Sequence, residues 1–294
     1  MLNIVRISDG LGNQLSEYAF ARKLQQIKGN HVYLDIRFIN NEDRVARGET
    51  NLMINDQRRY LLDKFKISLP VADSLLLSKW HYLIPQNRME KITLKIAEKG
   101  IWPWQYKDEE KIQKGKMIKM GNNLFPVYYK GYYFNLKYYQ DIRPILLKEF
   151  RLQNPLKLTN ELKRVLNYEN TVSLHVRRGD FIRHHCSISR DKYYFRAIRR
   201  MNERIENPIY LVFSDDIEWV KKNLYICGDI RYISGMGFKD YEEFVIMQHC
   251  KHNIIANSTF SYWAAYLNNY SNKIVIYPTL WGKPELIPNG WVGM

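Results

Sequence analysis

The stretch Leu174-His175-Val176-Arg177-Arg178-Gly179-Asp180 lies a little past the middle of this 294-residue chain and is typical of a buried strand that ends in a glycine turn. Side chains alternate along a strand, so His175 and Arg177 are expected to point the same way, whereas Arg178 points opposite or lies in the turn. Ligands of open α/β sheets bind beyond the carboxyl ends of strands, and arginine offers phosphate a planar fork of donors. The stretch therefore predicts an anion site, with an arginine pair bound to Asp180 at the surface as the structural alternative.

Strands and helices alternate regularly from Thr171 onward. The pattern predicts strands at 171–176, 209–213, about 231–233, 253–256 and 273–277, with helices between them. Repeated β-α units of this length favour a parallel sheet covered on both faces. The carboxyl ends of these strands then share one edge, which is predicted to carry His175 and Arg177, Ser214, Asp215 and Asp216, and Asn257, Ser258, Thr259 and Ser261.

These polar clusters each have a functional and a structural interpretation. Hydroxyl groups and free N–H groups at a helix start, as in Asn257-Ser258-Thr259, make an anion site that the helix dipole supports, or an ordinary helix cap. Asp215 and Asp216 either accept hydrogen bonds from a base or ribose, or begin the next helix. The chain contains no Asp-x-Asp triplet, so a metal held in that way on a nucleotide diphosphate is not predicted. Arg177 or Arg178 would meet the diphosphate charge instead.

The amino-terminal segment has a β-α-β pattern with glycines in its first turn. Strands are predicted at Asn3–Ile7 and His31–Ile36, and Asn13 or Ser16 is predicted to cap the helix between them. The amides of Asn13 and Gln14 are suited to bonding sugar hydroxyls or phosphate oxygens. Gly10-Leu11-Gly12 lacks the third glycine of a dinucleotide fingerprint, which disfavours the alternative of a nicotinamide enzyme.

The region 37–125 is less informative. Leu75-Leu76-Leu77 predicts a buried helix, and 88–98 predicts a basic amphipathic helix flanked by Trp80, Tyr82, Trp102 and Trp104. Its apolar side carries Met89, Ile92, Ile96 and Ala97. Packing of this side against the domain is favoured over contact with an anionic bilayer. Gln153-Asn154-Pro155 marks the predicted boundary between domains 1–154 and 155–294.

The bulk composition limits the class of protein. A net charge of +15 favours anionic partners, namely nucleic acid, an anionic membrane surface or phosphorylated substrates. No nucleic-acid module is recognisable. The three cysteines form no C-x-x-C pair, which disfavours a disulfide framework or a zinc site and favours a reducing compartment. Without a signal peptide or an apolar stretch of about 18 residues, we expect a cytosolic protein, and peripheral membrane contact stays open.

Four motifs in order resemble glycosyltransferase family 11, the α-1,2-fucosyltransferases. The first is Gly10-Leu11-Gly12-Asn13-Gln14 with 18–21, and the second is the H-x-R-R-G-D pattern at 175–180. The two later motifs lie at 213–216 and 255–263, so the resemblance runs from residue 1 to about 281. Leu15-Ser16-Glu17 differs from the more usual Met-Phe-Gln of the family, and this difference concerns the contacts with the acceptor.

The resemblance implies a GT-B-like α/β fold with two Rossmann-type domains and a cleft between them. Domain 1–154 would face the acceptor, and domain 155–294 would bind the GDP-sugar. The implied reaction is inverting transfer of L-fucose from GDP-fucose to the 2-hydroxyl of a galactose, with no metal or other cofactor. The sequence does not identify the acceptor. Because no membrane anchor or luminal signal is recognisable, we expect a galactose-terminated oligosaccharide or lipid-linked glycan of a bacterial surface, met in the cytoplasm or at the inner face of the membrane. The alternatives are another GDP-sugar-dependent glycosyltransferase and, in a different class, a basic nucleic-acid-binding protein.

The resemblance also implies roles for particular residues. Arg177 would contact the donor diphosphate, and Arg178 would support the same region. Asp180 and Asp9 are both candidates for the general base, and Asp180 could instead only orient the arginines. The remaining predicted GDP-site residues are His175, Asp215, Asp216, Asn257, Ser258, Thr259, Phe260 and Ser261. Gly12, Asn13 and Gln14 would close the cleft from the other domain.

Overall fold

The computed structural model describes residues 1–39, 58–83, 85, 87–99, 105–112, 116–121, 125–168, 170–179 and 192–294. They form two compact units, unit 1 (Met1–Arg151) and unit 2 (Leu152–Met294). Each unit contains a parallel β-sheet with helices, so the predicted GT-B-like class of two Rossmann-type α/β units is confirmed.

Unit 1 contains a four-stranded sheet in the order β2-β1-β4-β3 with every neighbouring pair parallel. Its elements are β1 (Leu2–Arg6), α1 (Leu11–Gln25), β2 (His31–Asp35), α2 (Ser74–Leu77), α3 (Arg88–Glu98), β3 (Gln105–Asp108), β4 (Val127–Lys130) and α4 (Arg143–Glu149). Strand β2 is added on one side of β1, and β4 and β3 are added on the other side. The strand order therefore reverses between β1 and β4.

Unit 2 contains a six-stranded parallel sheet in the order β10-β9-β8-β5-β6-β7. Its elements are α5 (Asn160–Asn167), β5 (Thr171–Val176), α6 (Tyr193–Asn202), β6 (Ile209–Ser214), α7 (Ile217–Asn223), β7 (Asp229–Tyr232), α8 (Asp240–His249), β8 (His252–Ile254), α9 (Thr259–Leu267), β9 (Val275–Tyr277) and β10 (Val292–Gly293). The order reverses between β5 and β8, which is the point where such sheets bind ligands.

Strand β5 is buried along its whole length, and its two faces differ as the alternation predicts. One face supplies Val172, Leu174 and Val176 to a core cluster that also contains residues of α6. On the other face, Ser173 Oγ accepts a 2.7 Å hydrogen bond from Asn253 Nδ2 of β8. His175, on this second face, lies with its ring centroid 5.6 Å from that of Phe260 in α9.

Two local predictions in unit 1 are wrong. Helix α1 begins at Leu11, before Asn13 and Ser16, because the Gly10 carbonyl already accepts hydrogen bonds from the N–H groups of Asn13 and Gln14. Leu75-Leu76-Leu77 belongs to a helix of only four residues, and its Leu75 is 80% exposed. Such a short helix can bury only part of its surface, and among these leucines only Leu77 is buried.

Within the described ranges, no helix combines the length and the apolar character needed to cross a membrane.

Candidate functional site

The predicted site residues of unit 2 meet at the carboxyl edge of its sheet. Val176 of β5 pairs with Ser214 of β6, and the chains continue side by side beyond this pair. Arg177 therefore lies beside Asp215, with Nη1 3.0 Å from Oδ2. The side chains of Arg177 and Asp215 keep 25% and 23% of their surface exposed, so this ion pair is accessible to a ligand.

Arg178 has several contacts that fix its position. Its backbone N–H donates to Asp215 Oδ1 at 2.9 Å, and its Nε donates to Asp216 Oδ2 at 3.1 Å. Its guanidinium carbon also lies 3.7 Å from the ring centroid of Trp219, a cation–π contact. Only 13% of the Arg178 side chain is exposed. Asp180, the partner that the structural alternative gave to the arginines, lies outside the described residues.

The two aspartates that follow β6 have structural contacts of different kinds. Asp216 caps α7, because its side chain accepts a 3.2 Å hydrogen bond from the Trp219 N–H. Asp215 lies against Gly179, where an added Cβ would come within 2.7 Å of its Oδ2. A side chain at position 179 would therefore push Asp215 away from the arginines.

His175 is a buried histidine behind the arginines. Burial, with a smaller contribution from the charge of Arg177, lowers the pKa of His175 to about 3, so the ring is neutral at physiological pH. Its Nδ1 has no hydrogen-bond partner among the described residues. Buried polar atoms usually have partners, so this nitrogen is suited to a ligand or a water.

The start of α9 is the second candidate anion-binding element of this edge. Ser258 is its extended N-cap residue, yet the Ser258 side chain makes no capping bond within the described structure. Ser261 has a structural contact, since its Oγ accepts from the Ala256 N–H at 3.2 Å. Asn257, Thr259 and Phe260 lie beside them with partly exposed side chains. The first-turn N–H groups of α9 thus lack the side-chain cap that an ordinary Ser cap would provide, and they are suited to binding an anion.

Sequence reasoning missed a carboxyl group behind β6. The Ser234 hydroxyl donates to Glu243 Oε2 at 2.9 Å and accepts from the Ser214 N–H at 3.0 Å. Burial, with a contribution from Asp240, raises the pKa of Glu243 to about 7. Three separate segments build this contact, so no local motif reveals it. Trp219 was missed because its partner Arg178 lies 41 positions earlier in the chain.

The equivalent edge of unit 1 is organised around Asp9, which follows β1. Its φ of 57° is in the left-handed region, which is uncommon for a residue other than glycine. Tyr132, which follows β4, donates its hydroxyl to Asp9 Oδ2 at 2.6 Å, and Asn13 Nδ2 lies 3.4 Å from the same oxygen. Asp9 Oδ1 receives no hydrogen bond from the described residues. The Asp9–Tyr132 pair thus spans the point where the strand order of unit 1 reverses.

The other predicted residues of this turn lie beneath its surface. Gln14 is fully buried; its Nε2 donates to the carbonyls of Asp9 and Arg59, and its Oε1 accepts from the Leu61 N–H. Gly12 is also buried, inside α1. Glu17, in the segment that departs from the family motif, is buried and accepts from the Ser8 backbone and hydroxyl at 2.8 and 2.6 Å. Burial raises the pKa of Glu17 well above its ordinary value, and the two hydrogen bonds from Ser8 partly oppose this rise.

Among the described ranges, no three His, Cys, Asp or Glu side chains come together in a way that could hold a metal ion.

Comparison with known proteins identifies relatives along almost the whole chain. Residues 1–287 match the family described as Glycosyl transferase family 11. Two Escherichia coli proteins are each 29% identical: an alpha-1,2-colitosyltransferase, over 98% of this chain and 97% of its own length, and the O-antigen biosynthesis glycosyltransferase WbnK, over 98% and 99%. The galactoside 2-alpha-L-fucosyltransferase Sec1 of Mus musculus is 25% identical over 99% of this chain and 73% of its own length.

Replacement of Glu243 should change how stability depends on pH. The folded state keeps the Glu243 proton up to about pH 7, whereas an unfolded carboxyl releases it near its ordinary pKa of 4.5. Glu243 therefore destabilises the fold progressively as the pH rises through this window, and glutamine removes that penalty. The melting temperature of Glu243→Gln minus that of the unchanged protein should therefore be larger at about pH 8.5 than at about pH 5. Exposed Glu206→Gln is the control, and an equal response of both variants would contradict the assignment.

Proposed function

This chain belongs to glycosyltransferase family 11, and on that premise we propose that it is an inverting fucosyltransferase. It moves L-fucose from GDP-fucose to the 2-hydroxyl of a terminal galactose and forms an α-1,2 linkage. The observation that carries the proposal is that accessible Arg177, after β5, and the uncapped start of α9, after β8, both follow the two strands between which the strand order of unit 2 reverses. Unit 2 (predicted as 155–294) takes the donor, and unit 1 (predicted as 1–154) takes the acceptor.

The donor diphosphate is bound at the carboxyl edge of unit 2. Arg177 turns its exposed guanidinium toward the phosphate oxygens, and N–H groups at the start of α9 donate to the same oxygens. Arg178, fixed by Asp216 and Trp219, positions the backbone from which Arg177 projects. The neutral ring of His175 offers its Nδ1 to the nucleotide.

Asp215, Asp216 and the residues around α9 complete the donor site in different ways. Asp215 orients Arg177, and Asp216 holds Arg178 in place. Asn257, Ser258, Thr259 and Phe260 line the space next to the phosphates, and Ser261 keeps the turn in shape.

In the reaction, the acceptor 2-hydroxyl oxygen attacks C1 of fucose while the bond from C1 to the phosphate oxygen breaks. The electron pair of that bond leaves with GDP, whose growing charge is stabilised by Arg177 and the helix N–H groups. The reaction is a single displacement on the β-linked donor, so it inverts C1 and gives the α-linked product. No metal ion is required in this scheme.

Asp9 is the proposed general base that takes the proton of the 2-hydroxyl. Tyr132 and Asn13 hold one carboxylate oxygen, which leaves Oδ1 for the acceptor. Strained backbone of this kind is concentrated at active sites. Gln14 and Glu17 support the turn from below, and Gly12 lies in the first turn of the helix that follows.

The relatives suggest what the acceptor is and what a second donor could be. One relative is named for O-antigen biosynthesis, which favours a galactose-ended oligosaccharide or lipid-linked glycan of a bacterial surface polysaccharide as acceptor. Another is named as a colitosyltransferase. Colitose is L-fucose without its 3-hydroxyl, so a GDP-colitose-dependent enzyme is the second candidate, and it uses the same site.

The test of function is incubation of the protein with GDP-fucose and a panel of galactose-ended glycans. We expect an α-1,2-fucosylated product, identified by linkage analysis, in the presence of EDTA. GDP-colitose is assayed in parallel, and a higher kcat/KM with it would favour the second candidate. Absence of transfer from both donors to every galactoside would contradict the proposal.

Arg177→Ala should lower the rate of fucose transfer by about 10²–10³-fold, because it removes hydrogen-bond donors that stabilise the charge developing on the phosphate. Weaker GDP binding, measured by calorimetry, should accompany the loss. Exposed Arg164→Ala of α5 is the matched control and should leave both values unchanged. Near-normal turnover by a folded Arg177→Ala protein would remove Arg177 from the mechanism.

Asp9→Asn should lower kcat by about 10²–10⁴-fold while GDP still binds to the variant with unchanged affinity. Asparagine tolerates the left-handed backbone of position 9, so the turn should keep its shape. Tyr132→Phe should cause a smaller loss because it frees the carboxylate without removing it. If Asp9→Asn kept full kcat, another group would have to be the base.

A further inference from the structure

Helix α3 turns two of its large apolar side chains, Met89 and Ile92, outward. The residues that contact the core cluster of unit 1 are Leu94 and buried Ala97. Met89 is 72% exposed and Ile92 is 44% exposed. The prediction that the apolar side of this helix packs against the domain is therefore wrong for Met89 and Ile92.

The exposed residues form two adjacent stripes. Met89, Ile92 and half-buried Ile96 follow one another at the three- and four-residue spacing that lines up side chains on a helix. Beside this apolar stripe runs a basic stripe whose four members are all exposed, namely Arg88, Lys91, Lys95 and Lys99. Together these seven residues are called the outer face of α3.

The two acidic residues of α3, Glu90 and Glu98, contact basic residues that do not belong to the outer face. Glu90 is on the side that meets the preceding turn, with Oε1 3.7 Å from His81 Nε2. Glu98 forms an ion pair with Lys111, in which Oε1 lies 2.5 Å from Nζ. No described carboxylate pairs with the four cations of the basic stripe, so their charge is not neutralised within the described part of unit 1.

We propose that the outer face of α3 docks unit 1 on an anionic lipid bilayer. The helix lies in the plane of the interface, with Met89, Ile92 and Ile96 at the boundary between headgroups and acyl chains and the basic stripe against lipid phosphates. The net charge of +15 over the chain attracts it to the same surface.

The composition of the outer face favours a bilayer over a protein partner. Stable protein interfaces need a broad buried area with an apolar centre, and a single stripe of three side chains is small by that measure. A bilayer needs only a shallow apolar insertion together with dense positive charge. Docking would bring unit 1 to lipid-linked acceptors, and this consequence rests on the proposed function; the lipid binding itself does not.

The test is co-sedimentation of the full chain with vesicles of equal parts phosphatidylcholine and phosphatidylglycerol, and with vesicles of phosphatidylcholine alone. We expect binding to the anionic vesicles at about 50 mM salt and its loss at about 500 mM salt. Lys91→Glu/Lys95→Glu and Met89→Ser/Ile92→Ser should each weaken this binding about tenfold or more. The matched control, Lys163→Glu/Arg164→Glu, makes the same charge change on an exposed face of α5 in unit 2.

Several results would overturn the docking proposal. They are absence of wild-type binding to anionic vesicles at low salt, equal binding to neutral vesicles, and equal loss in the α5 control. Self-association that Met89→Ser/Ile92→Ser abolishes, seen without lipid binding, would assign the face to a second copy of the chain instead. Transfer to a water-soluble galactoside should be unchanged in every variant, so a failed lipid test and a failed test of function are distinguishable.

Discussion

The parallel pairing of β5 with β6 is the constraint on which the unit 2 site depends. Its register places Val176 opposite Ser214, and the two residues that follow each strand are then neighbours. Arg177 and Arg178 therefore lie next to Asp215 and Asp216, because the strand register fixes the positions of both backbones. Gly179 is part of the same constraint, since a larger residue would collide with Asp215. The contact between the arginines and the aspartates is thus a consequence of sheet geometry.

The two units apply the same principle with different chemistry. In each sheet the strand order reverses beside the strand that opens the unit, β1 or β5. At the reversal point, unit 2 presents guanidinium groups and a helix start, which suit an anion. Unit 1 presents a carboxylate held by a tyrosine hydroxyl. The same strand arrangement therefore presents basic groups at the edge of one unit and a carboxylate at the edge of the other.

The sequence predicted what depends on local pattern and could not predict what depends on packing between distant segments. Alternation along β5 correctly separated Val176 from His175, and repeated β-α units correctly predicted a parallel sheet. The burial of Gln14 depends on the backbone at Arg59 and Leu61, far away in the chain. The outward turn of Met89 is a similar case, because periodicity shows that a helix has an apolar side without showing what that side meets.

The two arginines differ in how they combine preorganisation with access to a ligand. A guanidinium that must bind phosphate loses less conformational freedom when a partner already holds it, yet a partner carboxylate also repels the phosphate. The structure separates these demands. Arg178 is bound through its backbone, its Nε and its ring contact, and it is nearly buried. Arg177 pairs with Asp215 and keeps 25% of its side chain exposed, against 13% for Arg178, so the proposed contact with the phosphate is given to Arg177.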